Sequence, residues 1–292
     1  MTILNWLLEP LHYAFMQRGF LAAVMVGIVC AVVGTYVVLR GMAFFGDALA
    51  HSILPGIAVG YLVNGGDRGA LFWWSLGTAI LAALGIGAVS RRTQVKEDTA
   101  IGIIFAGAFA LGIALISTVR SYSVDLAHFL FGDVLGVSTG DLWLTGIFGG
   151  LILLTVLAFY EPFLVVSFDP IFARTIRLPV DFFDSLLLVL IAIAIVVSLQ
   201  TVGVALMVAM LITPAATAYL LARRLPVMMG VAALLASLAG IIGLYLSYYF
   251  SVASGAAIVL VSTLFFGLAA LFAPRRGLIA EWRRSRSQTG GR

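Results

Sequence analysis

Nine stretches of the chain are unbroken apolar runs, at residues 19–39, 44–63, 70–90, 99–118, 140–160, 183–199, 202–222, 227–250 and 254–273. Each is close to the roughly 20 residues with which a helix crosses the hydrocarbon of a bilayer. Apolar and polar positions do not alternate over short segments, as they do along the strands of an outer-membrane barrel. The pattern therefore predicts an all-α, polytopic bundle of eight or nine transmembrane helices. The run 44–63 is short and carries charge, so it reads either as a full span or as a broken, re-entrant element. Run 19–39 does not read as a removable signal peptide. Glu9 stands where a basic region is needed, and the run is too long.

Composition narrows the classes further. The 292 residues are 62% hydrophobic and 10% charged, against about 25% charged for an ordinary soluble domain. That excludes a water-soluble enzyme, a nucleic-acid binder and a disordered chain. The single Cys30 lies inside an apolar run and forms no intrachain disulfide. A net charge of +4 carries no nucleic-acid signal, because six of the 17 basic residues (Arg275, Arg276, Arg283, Arg284, Arg286 and Arg292) are in the last 19.

Lysine and arginine also set the orientation. Alternate loops place Arg40, Arg91, Arg92, Lys96, Arg174, Arg177, Arg223, Arg224 and the six tail arginines on one side. Arg18, Arg68 and Arg120 fall on the other. The richer side is expected to be cytoplasmic, with the amino terminus outside and the carboxyl terminus inside. Residues 1–18, with Trp6, His12, Tyr13 and Phe15, read as an amphipathic extracytoplasmic segment. Residues 19–273 read as the transmembrane domain in contact with lipid, and 274–292 as a basic cytoplasmic tail. The half-apolar stretch 119–139 reads as a short helix at the outer interface.

Spans three to nine hold almost no ionisable groups away from their ends. Span two does, in Phe44-Phe45-Gly46-Asp47-Ala48-Leu49-Ala50-His51-Ser52-Ile53-Leu54-Pro55-Gly56. Asp47 and His51 are at i and i+4 and share one helix face. A carboxylate within the bilayer costs several kcal/mol unless compensated, and such groups mark ion or substrate paths. Carboxylate oxygen with imidazole nitrogen suits a divalent transition metal such as zinc or manganese. Two ligands are too few, and a two-fold dimer with this face on its axis supplies four. Pro55 and Gly56 favour a helix break, where transporters place ion sites. A proton relay, and a purely structural role in which the two residues hydrogen-bond each other or a neighbouring helix, are the other readings of the pair.

Two further segments lie on the arginine-rich side. Thr213-Pro214-Ala215-Ala216-Thr217-Ala218-Tyr219-Leu220-Leu221-Ala222-Arg223-Arg224 reads as a short helix opened by Pro214, or as the plain inner end of a span. Phe168-Asp169-Pro170-Ile171-Phe172-Ala173-Arg174-Thr175-Ile176-Arg177-Leu178-Pro179 reads as a turn of helix capped by Asp169 with Pro170 at its first position. Neither the P-loop pattern Gly-x-x-x-x-Gly-Lys-Ser/Thr nor the zinc-protease pattern His-Glu-x-x-His occurs in the sequence. His12 and His128 read as surface or packing residues.

Four motifs in order resemble those of the membrane permeases of ABC importers for zinc, manganese and iron. They are Gly46–Gly56, Phe131-Gly132-Asp133-Val134-Leu135-Gly136, Phe168–Pro179 and Thr213–Ala218, and the likeness runs from about Glu9 to the end of the last span. The resemblance implies a multi-pass protein of the cytoplasmic (inner) membrane that works as a homodimer by alternating access. It implies two cytoplasmic ATPase subunits, which hydrolyse the ATP, and an extracytoplasmic metal-binding protein. It makes Asp47 and His51 transient ligands of the transported metal, with no permanently bound cofactor. It makes Thr213, Pro214, Ala215, Ala216, Thr217, Arg223 and Arg224 the segment that couples to the ATPase. Arg177 stands where the family pattern leads one to expect glycine. The rival readings are a permease for cobalamin or iron–siderophore, and an ion-coupled secondary carrier. The former needs a wide path without charged ligands, which Asp47 and His51 argue against.

Overall fold

A computed structural model describes residues 8–65, 67–93, 95–118 and 134–273. Among them nine helices are long and apolar enough to cross a membrane, at the positions of the nine apolar runs. In chain order the helices are α1 (Ala14–Leu39), α2 (Phe45–Ser52), α3 (Leu54–Asn64), α4 (Arg68–Thr93), α5 (Glu97–Ser117), α6 (Thr139–Ala158), α7 (Tyr160–Phe168), α8 (Pro170–Thr175), α9 (Val180–Val202), α10 (Val204–Leu221), α11 (Leu225–Phe250) and α12 (Ser254–Phe272). Helices α2 and α3 together make the second span. No strand occurs among the described residues.

Helices α1 and α9 are the most buried spans, and α5 and α6 the least. Around α1 pack α11, α10, α9 and α6; α4 packs on α9; α2 and α3 lie against α4 and α5. Close approach depends on missing side chains, since apolar attraction between helices is weak in lipid. A Cβ on Gly34 of α1 would sit 1.8 Å from the Leu211 carbonyl oxygen of α10, and one on Gly112 of α5 would sit 2.6 Å from Leu54 Cβ. Those two glycines seat α1 on α10 and α5 on the break within the second span.

Contacts between distant residues sort the helix ends. Arg40, Arg91, Glu97 and Asp184 meet at one end of the bundle. At the other, Asp141 accepts a bond from Gln200 at 3.3 Å, and Tyr13 lies 6.1 Å from Tyr248 between ring centres. The first is called the arginine-rich end.

Several boundaries differ from expectation. Helix α1 starts at Ala14, so the last five residues of the predicted amino-terminal segment belong to the first span. Helix α9 runs to Val202, and Gly203, at φ +82°, alone separates it from α10. The expected span 140–160 ends at Ala158, and a separate helix, α7, follows. Trp6, His128, most of the segment 119–139, Phe131–Asp133 and the tail 274–292 lie outside the described residues.

Candidate metal site

The second span breaks at Ile53. Pro55 has no N–H to give the carbonyl of His51, four residues back, so the helical ladder cannot run through. Helix α2 is consequently a rigid eight-residue rod. Phe45, Gly46, Ala48, Leu49, Ala50 and Ser52 are buried on it. Its open stripe is Phe44, Asp47 and His51, at the i, i+3, i+7 spacing of one helix face. The Asp47 side chain is 42% exposed and that of His51 27%, so neither is sealed in a core. Their nearest approach, His51 Nε2 to Asp47 Oδ1, is 3.7 Å. That is too long for a hydrogen bond, so the pair does not satisfy itself. A hydrogen bond between the two side chains does not match this geometry.

Helix α5 walls the imidazole. The Phe105 and Phe109 rings, four residues apart, lie 6.1 and 5.9 Å from the His51 ring, and Phe44 meets Phe105 edge-on at 5.9 Å. The wall covers one flank of the ring and leaves the carboxylate side open. Sequence reading passed over these phenylalanines, although their i, i+4 spacing in span four was a usable signal. Among the described residues no three or more His, Cys, Asp or Glu side chains cluster to hold an ion.

Of the two readings of the Thr213–Arg224 segment, the inner end of a span holds, and Thr213–Thr217 form no short helix of their own. Pro214 is inside α10, buried with Ala215 and Thr217, while Thr213 and Ala216 are half-buried. A proline is tolerated within a membrane helix because neighbouring helices and hydroxyls take up the freed backbone groups. The Thr217 hydroxyl donates to the Thr213 carbonyl at 2.7 Å in this turn. Arg223 and Arg224 are exposed beyond the helix end, beside a cleft of about 240 Å³ that Leu39, Phe168, Tyr219 and Met228 also line.

Phe168 leads directly into α8, where Asp169 caps as expected and accepts from Phe172 N at 2.9 Å. Ile171 is 78% exposed there, and Phe172 and Ile176 also stand out. The helix closes with Leu178 N–H donating to the Ala173 carbonyl, and Arg177 takes φ +61°. This is the left-handed cap that glycine usually provides. At the end of α1 the same turn is made by Gly41, φ +72°, with Met42 N–H donating to Val37.

Residues 12–273 match the ABC 3 transport family. The chain belongs to that family. It is 47% identical over 281 residues to the manganese transport system membrane protein of Halalkalibacterium halodurans, covering 96% of this chain and 95% of that one. It is 48% identical over 275 residues to the manganese transport system membrane protein of Listeria monocytogenes, covering 94% and 96%. Among solved structures it is similar to PsaBC from Streptococcus pneumoniae in complex with Fab, at a TM-score of 0.80 and 39% identity over 94% of this chain and 98% of that one. It is a multi-pass permease subunit of an ABC transporter, not itself the ATPase.

The permease holds a second ionic group that sequence reading missed. Arg40, the residue that ends α1, bonds Asp184 of α9 and Glu97 of α5, the latter at 3.3 Å. Arg91 of α4 bonds the other oxygen of Asp184, and also Ser185 at 3.0 Å. Arg40 and Asp184 are each only 10% exposed. All four charges belong to helix ends, and residues near span ends read as ordinary interfacial anchors. Nothing local announces that four of them converge.

Proposed function

We propose that the chain is the permease of an ATP-driven importer of divalent transition metal, manganese first, and that Asp47 and His51 hold the ion in passage. The observation that carries this is the open stripe on α2. A carboxylate and an imidazole stand one turn apart, not bonded to each other, beside a helix break inside an apolar bundle. An unpaired acid there is costly, and a cation is its natural compensation. The donor set is borderline, oxygen with nitrogen, and accepts manganese, ferrous iron and zinc alike. The manganese relatives favour manganese. A second copy of the chain, its α2 stripe facing the first across a two-fold axis, completes four ligands. An ion so held is bound firmly enough to enter and weakly enough to leave.

In this reading the arginine-rich end is cytoplasmic, and a separate dimeric ATPase docks there. The contact is α8 with its outstanding Ile171 and Phe172, together with the Arg223–Arg224 corner across the cleft that Phe168 shares. Thr213, Pro214, Ala215, Ala216 and Thr217 lie behind that corner as the shaft of α10 and transmit its motion without touching the partner. An extracytoplasmic binding protein delivers the metal at the opposite end.

The test is uptake of radioactive manganese into proteoliposomes holding the chain alone or with its ATPase and binding protein. Uptake is expected only with all components and ATP, and to be competed by ferrous iron or zinc but not by a metal chelate such as cobalamin. Uptake by the chain alone without ATP would make it a secondary carrier and overturn the reading.

A further inference from the structure

Arg40 and Asp184 join the two working parts of the molecule. Asp184 is the fifth residue of α9, seven residues after Arg177 at the end of the α8 turn. Arg40 is seven residues before Asp47, at the start of the five-residue link to α2. The left-handed turn at Gly41 folds that link tightly, so a displacement of Arg40 passes to α2 with little slack. The bridge Asp184–Arg40 is thus a polar route between the exposed α8 and the stripe bearing Asp47 and His51. Arg91 and Glu97 tie the same point to α4 and α5, the helix that walls His51.

This junction is also where polar atoms lack partners. Three buried side-chain atoms have no hydrogen-bond partner among the described residues: Tyr36 Oη, Arg40 Nη1 and Ser167 Oγ. Tyr36 and Arg40 lie one turn apart on α1, and Ser167 is the penultimate residue of α7, two before the Asp169 cap of α8. Tyr36 packs edge-on against Phe163, one turn before Ser167, with ring centres 6.0 Å apart. All three orphans therefore belong to the one seam where α7 and α8 meet the end of α1. A buried donor without a partner costs roughly 1–3 kcal/mol. Three together mark an arrangement in which a small slide of α7 along α1 exchanges one set of bonds for another.

We infer that Arg40 and Asp184 are positioning residues that couple movement of α8 to the metal-facing helix α2, with Tyr36 and Ser167 taking up bonds in the second arrangement. The ion bridge holds through the slide, because Arg40 keeps a free donor and Asp184 is held from two sides. The inference rests on the reading of α8 as the ATPase contact. A buried ion pair is poor evidence for stability alone, since an apolar pair often serves as well. Transmission between two sites is given content by an element with two discrete arrangements.

The experiment uses the complete importer in proteoliposomes and reads ATP hydrolysed and manganese delivered in the same sample. Asp184→Asn and Arg40→Gln are expected to hydrolyse ATP within about twofold of wild type while manganese per ATP falls about tenfold, an ordinary size for coupling between sites. The double variant is expected to be no worse than either single one. Tyr36→Phe removes a hydroxyl that has no partner here, so it is expected to fold in normal yield and still lower manganese per ATP about threefold, a modest share of a coupling energy. The inference is overturned if Asp184→Asn and Tyr36→Phe both keep the wild-type ratio. It is equally overturned if uptake and hydrolysis fall together in step with folded protein while Tyr36→Phe is silent. The underlying reading has its own test: Ile171→Glu retaining full ATPase binding removes α8 as the contact, whatever the ratio in the other variants.

Discussion

Around Arg40 two groups of ionisable side chains lie within seven residues of one another, and they are built on opposite terms. Arg40, Asp184, Arg91 and Glu97 neutralise each other, with Arg40 and Asp184 withdrawn from the surface. Asp47 and His51 stand on an open helix face at 3.7 Å, without a bond between them. A charge in an apolar bundle is tolerated when something answers it. In the first group the answer is already in the fold. In the second it has to come from outside, which is what a site for a passing cation requires. The two groups differ in pairing and exposure, which is the difference expected between charges that hold the fold and charges that meet a passing ion.

The contrast breaks most plainly through uptake. Asp47→Ala or His51→Ala is expected to lower manganese accumulation by about 100-fold or more, the loss of a ligand costing at least as much as loss of its supporting partner. Extracted protein should appear in normal yield with an unchanged unfolding temperature. Wild-type uptake in both variants would remove the pair from the mechanism.

The opposite profile belongs to the paired group. Asp184→Ala leaves two arginines facing a missing partner, and thermal unfolding in detergent should register a loss of about 3 kcal/mol. A D184A protein as stable as the D47A protein would erase the distinction.

A smaller effect sharpens the open site. Phe109→Leu removes an edge contact to the His51 ring and is expected to weaken uptake roughly fivefold by raising the half-saturating metal concentration, with Phe109→Tyr close to wild type. The smallest concerns the two left-handed caps. Gly41 adopts its turn without strain, whereas Arg177 bears a Cβ in the same region. Arg177→Gly should therefore stabilise the protein by about 1 kcal/mol or slightly more.

The Asp47/His51 pair was legible in the chain because it is local. Two residues four apart share a face, and a proline four residues after His51 interrupts the helix, whatever surrounds them. The Asp169 cap was legible for the same reason, whereas the left-handed turn at Arg177 was not, since only the family pattern pointed to a glycine there. The ionic junction was not, because Arg40 and Asp184 are separated by 144 positions and each looks like an interfacial anchor. Pro214 left two readings open, a helix start or the plain inner end of a span, and packing decided for the second. In water a proline so placed ends or begins a helix, but between packed membrane helices α10 runs straight through it. The aromatic wall at His51 needed both the spacing of Phe105 and Phe109 and the seating of α5 on α2, and only the first was in the sequence.

Hydropathy and local turn chemistry narrow the spans to eight or nine, favour a break in the second one and fix the shared face of Asp47 and His51, since lipid obliges each segment to satisfy its own backbone. Which helices lie together is a different matter. In a uniformly apolar bundle every span is about equally greasy on all sides, so the partners of Gly34, Arg40 and His51 follow from shape and from the meeting of distant charges. Those exist only once the helices are packed.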